Sequence, residues 1–140
     1  MRYLVATDGS EESNDAVTYA AKDAEAFDAT LEIVHVITPE TEIVDGEIVM
    51  QGQERATQEG HQTLERATEV ANDAVSGELT IETHLLTGRP ADAIADRANA
   101  ADADAVYVGH RGLSNKQEEV VGSVAKSVVS KATVPVTVVR

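Results

Sequence analysis

AVYVGHRGLSNKQEEVVGSVAKSVV, residues 105 to 129, is the stretch around which the chain is arranged. Ala105, Val106, Tyr107 and Val108 form a short apolar run suited to a buried strand. Gly109-His110-Arg111-Gly112 interrupts it with two glycines three positions apart. After a nine-residue spacer, Gly122-Ser123 opens a stripe of Val121, Val124, Ala125, Val128 and Val129, spaced for one face of a helix. Strand, glycine loop and helix start in that order suit an anion. Glycines let backbone approach a ligand closely, unpaired N–H groups at a helix start favour phosphate, and the Ser123 hydroxyl adds a donor.

Charge marks the same place. From Ala105 onward there are five cations (Arg111, Lys116, Lys126, Lys131, Arg140) against two acids, Glu118 and Glu119. The preceding residues hold six cations against 23 acids, so a net charge of −14 divides into +3 and −17. A bound polyphosphate accounts for this segregation; a helix dipole or a structural quirk are the other readings.

Outward from that stretch, strands and helices alternate. Tyr3 to Ala6 predicts a central strand ending at Thr7-Asp8-Gly9-Ser10. A helix follows from about Glu11 to Phe27, with Ser10 as N-cap and Ala16, Val17, Ala20, Ala21, Ala24 and Phe27 facing inward. Leu31 to Ile37 is a second strand. Thr38 to Met50 reads as a connection, too apolar to be purely solvated, lying over a ligand or a second subunit. A helix from about Gln51 to Val75, with Gly77 past its end, precedes Leu79, Ile81, Thr83 and Leu85, whose alternation suits an edge or half-exposed strand. Pro90 begins another helix with Ala91, Ile94, Ala95 and Ala98 inside. The fourth strand, the last helix and a strand from Val134 to Val139 complete a β-α-β-α-β-α-β-α-β order. That order implies a doubly wound parallel α/β sheet with right-handed crossovers.

Composition narrows the function. At 140 residues the chain is expected to be one domain spanning 1–140. Leu, Ile, Val and Phe number 33, above the roughly 20% below which disorder is expected. The acidity, 25 Asp plus Glu against 11 Lys plus Arg, is read as halophilic adaptation, with an ordinary acidic protein as the alternative. It disfavours nucleic acid as a partner. Cysteine is absent, which excludes disulfides and thiolate metal sites. No apolar run reaches membrane-spanning length, and the first residues read as a strand rather than a signal segment, so a cytoplasmic protein is expected. There is neither a G-K-S/T phosphate loop nor a G-x-G-x-x-G. His35 and His84 in strands and His61 in a helix are read as packing or surface residues.

Gly109-x2-Gly112-x9-Gly122-Ser123 resembles the nucleotide-binding signature of the universal stress protein family. The opening YLVATDGS (Tyr3 to Ser10) and the ending VPVTVVR (Val134 to Arg140) extend the likeness over the chain. The resemblance implies a Rossmann-like adenine nucleotide-binding sheet of five strands in order 3-2-1-4-5. Its winding reverses between strands one and four, where ligands sit. It implies that Ala6, Thr7, Asp8, Val36, Val108, Gly109, Arg111, Gly112, Gly122, Ser123, Val124 and Ala125 hold ATP or another adenine nucleotide. Asp8 would meet the ribose or a metal-bound phosphate, or else be a turn residue capping the next helix. The Val36 backbone would meet adenine, or Val36 is a core valine. Arg111 would belong to the binding loop, or is a solvated loop cation. Mg or Mn would accompany a triphosphate, no protein metal ligand being assigned. Glu118 and Glu119 depart from the family's less acidic spacers and bear on phosphate affinity.

The first functional reading is an ATP-binding regulatory protein of the stress response with little or no hydrolysis. No residue is set to activate water, and His110 lacks an identified proton to take. A slow nucleotide phosphohydrolase or adenylyl-transferring enzyme in the same cleft, and a nucleotide-free protein-interaction module, are the alternatives. Pro135 puts the last strand at an edge. Its uncharged valines favour a covering partner, and the resemblance implies a homodimer through Val134 to Val139.

Overall fold

In the computed structural model, residues 1–38, 41–50, 52–110 and 122–140 are described, with backbone alone for 41–44, 48–50 and 53. The elements run β1 (Arg2–Ala6), α1 (Glu11–Ala26), β2 (Thr30–Ile37), β3 (Thr41–Val44), β4 (Glu47–Met50), α2 (Gln53–Ala74), β5 (Ile81–Thr87), α3 (Pro90–Ala100), β6 (Ala105–Gly109), α4 (Ser123–Lys131) and β7 (Val136–Val139). Five strands form a parallel sheet ordered β5-β2-β1-β6-β7. Counted along the sheet's own strands this is the 3-2-1-4-5 order.

The expected connection from Thr38 to Met50 contains β3 and β4, an antiparallel pair in which Val44 faces Glu47. Asp45 and Gly46 both take positive φ, 52° and 81°. That is the backbone of a two-residue turn matched to strand twist. The signal was in the sequence: Glu42-Ile43-Val44 and Glu47-Ile48-Val49 flank an Asp-Gly pair.

Two apolar layers sandwich the sheet. On one face Tyr3, Val5, Leu31, Ile33 and Tyr107 meet the alanines of α1 and Leu64, Ala67 and Ala71 of α2. On the other, Leu4, Val34, Val106 and Val108 meet Ile94 and Ala98 of α3 and Ala125 and Val128 of α4. Alternate strand residues thus serve opposite layers, as both-face burial demands. Small residues bring the helices close. A Cβ on Gly60 of α2 would stand 2.6 Å from Leu85 Cδ1 and 3.3 Å from His35 Cδ2.

Three inner-face expectations change. Phe27 is 62% exposed, because α1 ends at Ala26 and the ring leaves the helix face to meet Tyr3 edge-on. In α4, Val124 and Val129 are 40% and 52% exposed. This short helix turns only the narrow Ala125–Val128 strip to the sheet, and Val121 lies outside the described residues. Gly77 provides no left-handed cap. Val75 closes α2 in extended conformation, and the Ser76 and Gly77 N–H groups donate to the Glu25 carboxylate at 3.1 and 2.8 Å. Tyr107 donates to Asp23 at 2.7 Å; burial, reinforced by that bond, raises its phenol above the ordinary range.

Candidate functional site at the C-terminal ends of the strands

Parallel pairing brings the ends of β1, β2 and β6 together. Val5 sits opposite both Ile33 and Tyr107 and Ala6 opposite Val34, so β2 carries Val36 two residues beyond the partner of Ala6, while β6 ends at Val108–Gly109. Helices return antiparallel to the strands, which carries the starts of α1 and α4 to this same edge. The winding reverses between β1 and β6.

The segment after β1 is held by hydroxyls and one carboxylate. Thr7 continues the ladder through its N–H to Val34 O at 2.9 Å. Its buried hydroxyl lies 3.0 Å from Ser13 Oγ and accepts from the Gly9 N–H at 3.2 Å. Ser10 caps α1, accepting from the Ser13 N–H at 3.2 Å, as its sequence position predicts. Asp8 Oδ1 accepts the Ser10 N–H at 2.9 Å, and the Asp8 N–H donates to Ser13 Oγ at 3.3 Å. Asp8 is thus a turn residue at the α1 cap, the bland of its two readings. That role coexists with a carboxylate at the strand ends. Gly9 bends the chain at a φ of 84°.

Across the reversal, Gly109 is demanded first by packing. A Cβ there would lie 3.0 Å from the Glu12 carbonyl carbon and oxygen in α1. The His110 N–H donates to Val139 O at 2.7 Å, and its carbonyl accepts the Gly122 N–H at 2.8 Å, fastening the start of α4 to the end of β6. Gly122 is the α4 N-cap and, as glycine, has no side chain to cap with. Ser123 is exposed, while Ala125 is buried against the sheet and offers a ligand only backbone; buried Val108 does the same. Val36 is half-buried among the second layer's apolar residues. His110 is 4% exposed and its Nε2 has no hydrogen-bond partner among the described residues. Arg111 and Gly112, with Glu118 and Glu119, lie outside the described residues.

Two histidines assigned to packing or surface make polar contacts that strand periodicity did not reveal. His35 Nδ1 meets Thr7 O at 2.7 Å. On β5, the outer strand beside β2, His84 Nε2 is 3.0 Å from an oxygen of Glu32, which is 0% exposed. Glu32, Glu82 and His84 bring potential ligand atoms within 4.8 Å of one another. Guanidinium groups already counter those carboxylates: Arg97 bonds Glu32 at 2.5 and 3.2 Å, and Arg2 reaches Glu82 at 2.9 Å. Hydrogen bonding to Glu32 raises the Arg97 pKa further. Among the described residues, no helix is long and apolar enough to cross a membrane.

The universal stress protein family model matches residues 1–140. A universal stress protein of Thermus aquaticus is 33% identical over 139 residues, covering 98% of this chain and 96% of its own length. A crystal structure of a universal stress protein in complex with cAMP is 28% identical, with a TM-score of 0.74 over 100% of this chain and 96% of that one. The universal stress protein of Archaeoglobus fulgidus in complex with dAMP is 24% identical, with a TM-score of 0.75 over 100% and 98%. Strand order, the glycine spacing and a match over every residue agree: the chain belongs to the universal stress protein family.

Proposed function

We propose that the chain, as one cytoplasmic domain, binds an adenine nucleotide where β1 and β6 diverge and serves as a nucleotide-dependent regulator of the stress response. One observation carries this reading: the start of α4, with glycine at its N-cap, is fastened by the Gly122 N–H to the His110 carbonyl just past the end of β6. Its first-turn N–H groups and the Ser123 hydroxyl suit a phosphate tail. Asp8 suits a ribose or a phosphate-bound Mg or Mn, and the Val36 backbone suits adenine. Thr7, Val108, Gly109, Val124 and Ala125 line the same edge, with Ala6 beneath them; Arg111 and Gly112 complete the set by motif. The relative crystallised with cAMP supports an adenylate in this fold. ATP is preferred because cationic residues gather in the sequence from Ala105 onward.

No described side chain is poised to activate water, so hydrolysis is expected to be slow. The bare edge of β7 is expected to pair with a second copy through Val134 to Val139. Calorimetric titration with ATP, ADP, AMP and GTP in molar KCl with Mg²⁺ tests the reading. Adenylates should bind at least tenfold tighter than GTP. Absence of binding by all four would leave a protein-interaction module, and rapid phosphate release lost in Asp8→Ala would favour an enzyme.

A further inference from the structure

We propose that His35 is the positioning residue of the nucleotide site, setting the Asp8 turn through one hydrogen bond to the Thr7 carbonyl; this rests on the nucleotide-binding reading above. The acceptor is a carbonyl oxygen, so the proton of the 2.7 Å bond sits on His35 Nδ1. Thr7 is the residue at which the ladder ends and the turn begins. Its N–H is bonded to Val34 O and its hydroxyl to the Gly9 N–H, so its carbonyl is left to fix the next peptide, which carries Asp8, together with the longer 3.3 Å bond from the Asp8 N–H to Ser13 Oγ. A carbonyl at a strand end, beyond the ladder, needs a partner from outside it.

His35 is itself held in place. It belongs to β2, one residue before Val36, and its ring Cδ2 lies where a Cβ on Gly60 would come within 3.3 Å. Glycine at that point of α2 gives the imidazole room over the sheet, and the ring is thereby confined between helix and strand. The contact links three elements: α2 confines the ring, β2 carries it, and the ring orients the turn after β1. Val36 and Asp8, assigned to the base and to the ribose or metal, each follow directly in the chain one of the two residues this bond joins, His35 and Thr7. Positioning of this kind acts on affinity without touching the ligand.

Two variants test it. His35→Leu fills the space without a donor. His35→Asn places an amide nitrogen close to where Nδ1 stands. Calorimetry should show adenylate affinity falling roughly tenfold in the leucine variant and returning to within about threefold of wild type in the asparagine variant. Amide hydrogen exchange at Gly9 and Ser10, measured without nucleotide, should accelerate in the first and recover in the second. Either of two results overturns the proposal: a leucine variant that binds within twofold of wild type, or an asparagine variant that melts like wild type yet binds as weakly as leucine. If wild type binds no adenylate, the nucleotide reading fails by itself. The exchange measurement then decides alone, and unchanged protection in the leucine variant removes the positioning role. Should His35→Leu not fold, wild type against His35→Asn and His35→Gln gives the same decision, since glutamine moves the donor one carbon further out.

Discussion

The two ends of the parallel sheet are organised by opposite chemistry. Toward the N-terminal ends of the strands, Arg2, Glu32, Glu82 and Arg97 form a charged cluster that His84, midway along β5, borders, and Asp104 accepts the Arg2 N–H at 2.8 Å. Glu32 and Glu82 are direct neighbours on β2 and β5, and Arg2 lies between their carboxylates, 3.6 Å from one and 2.9 Å from the other. Arg97 occupies the last turn of α3, where a cation also complements the helix dipole. Each buried charge there has an opposite charge supplied by the chain. At the C-terminal ends the groups that hold the turn are hydroxyls, an imidazole, backbone and the Asp8 carboxylate, and α4 starts at a glycine N-cap. The difference is instructive. A fold that neutralises one edge internally fixes its strands there, and on the proposed reading the other edge receives an anion from outside.

The sharpest break of this contrast is Glu32→Ala. It strips a fully buried carboxylate from Arg97, Arg2 and His84 and should cost about 3–5 kcal/mol in urea unfolding. Adenylate affinity of the folded fraction should stay within about twofold. A loss under about 1 kcal/mol would show that the cluster is solvated in solution. Salt acts on the whole acidic surface: melting should rise by roughly 10 °C from low to molar KCl, and a flat response would remove the halophilic reading. At the other edge, Ser13→Ala removes a buried hydroxyl that accepts from the Asp8 N–H, and should cost about 1–2 kcal/mol while weakening adenylate binding. Unchanged affinity with lost stability would separate the hydroxyl cluster from the site. Smallest is Asp92→Asn, which breaks an exposed bridge from α3 to Lys131 of α4. Hydrogen bonding to Lys131 lowers the Asp92 pKa from 3.8. Its contribution is therefore present above pH 3.8 and lost as pH falls below it. The variant should melt within about 2 °C of wild type at pH 7, and the two curves should merge in acid.

The family contacts carried over by motif divide by how they depend on the surroundings. Ser10 was legible as a cap because its role is local, decided by residues three apart. The edge positions of β5 and β7 were legible from alternation in one and Pro135 in the other. Gly109 was read as a place of ligand approach, yet the backbone of α1 explains it first, a contact spanning nearly a hundred residues of sequence. Phe27 and Val129 fit a helical stripe and still lie exposed. A periodic pattern fixes a direction around the axis, not how wide a strip the neighbouring sheet will cover.

Sequence alone determined the alternation of strands and helices, the glycine loop between a strand and a helix start, and the family. These depend on periodicity, backbone conformation and spacing, all of which are properties of neighbouring residues. Tertiary structure alone decided that Glu32 is a buried ion-pair centre and that His35 holds the carbonyl before Asp8. Those partners are 65 and 28 residues apart in the chain, Arg97 from Glu32 and Thr7 from His35. What a polar side chain does inside a protein depends on which donor or acceptor folding brings within about 3 Å of it.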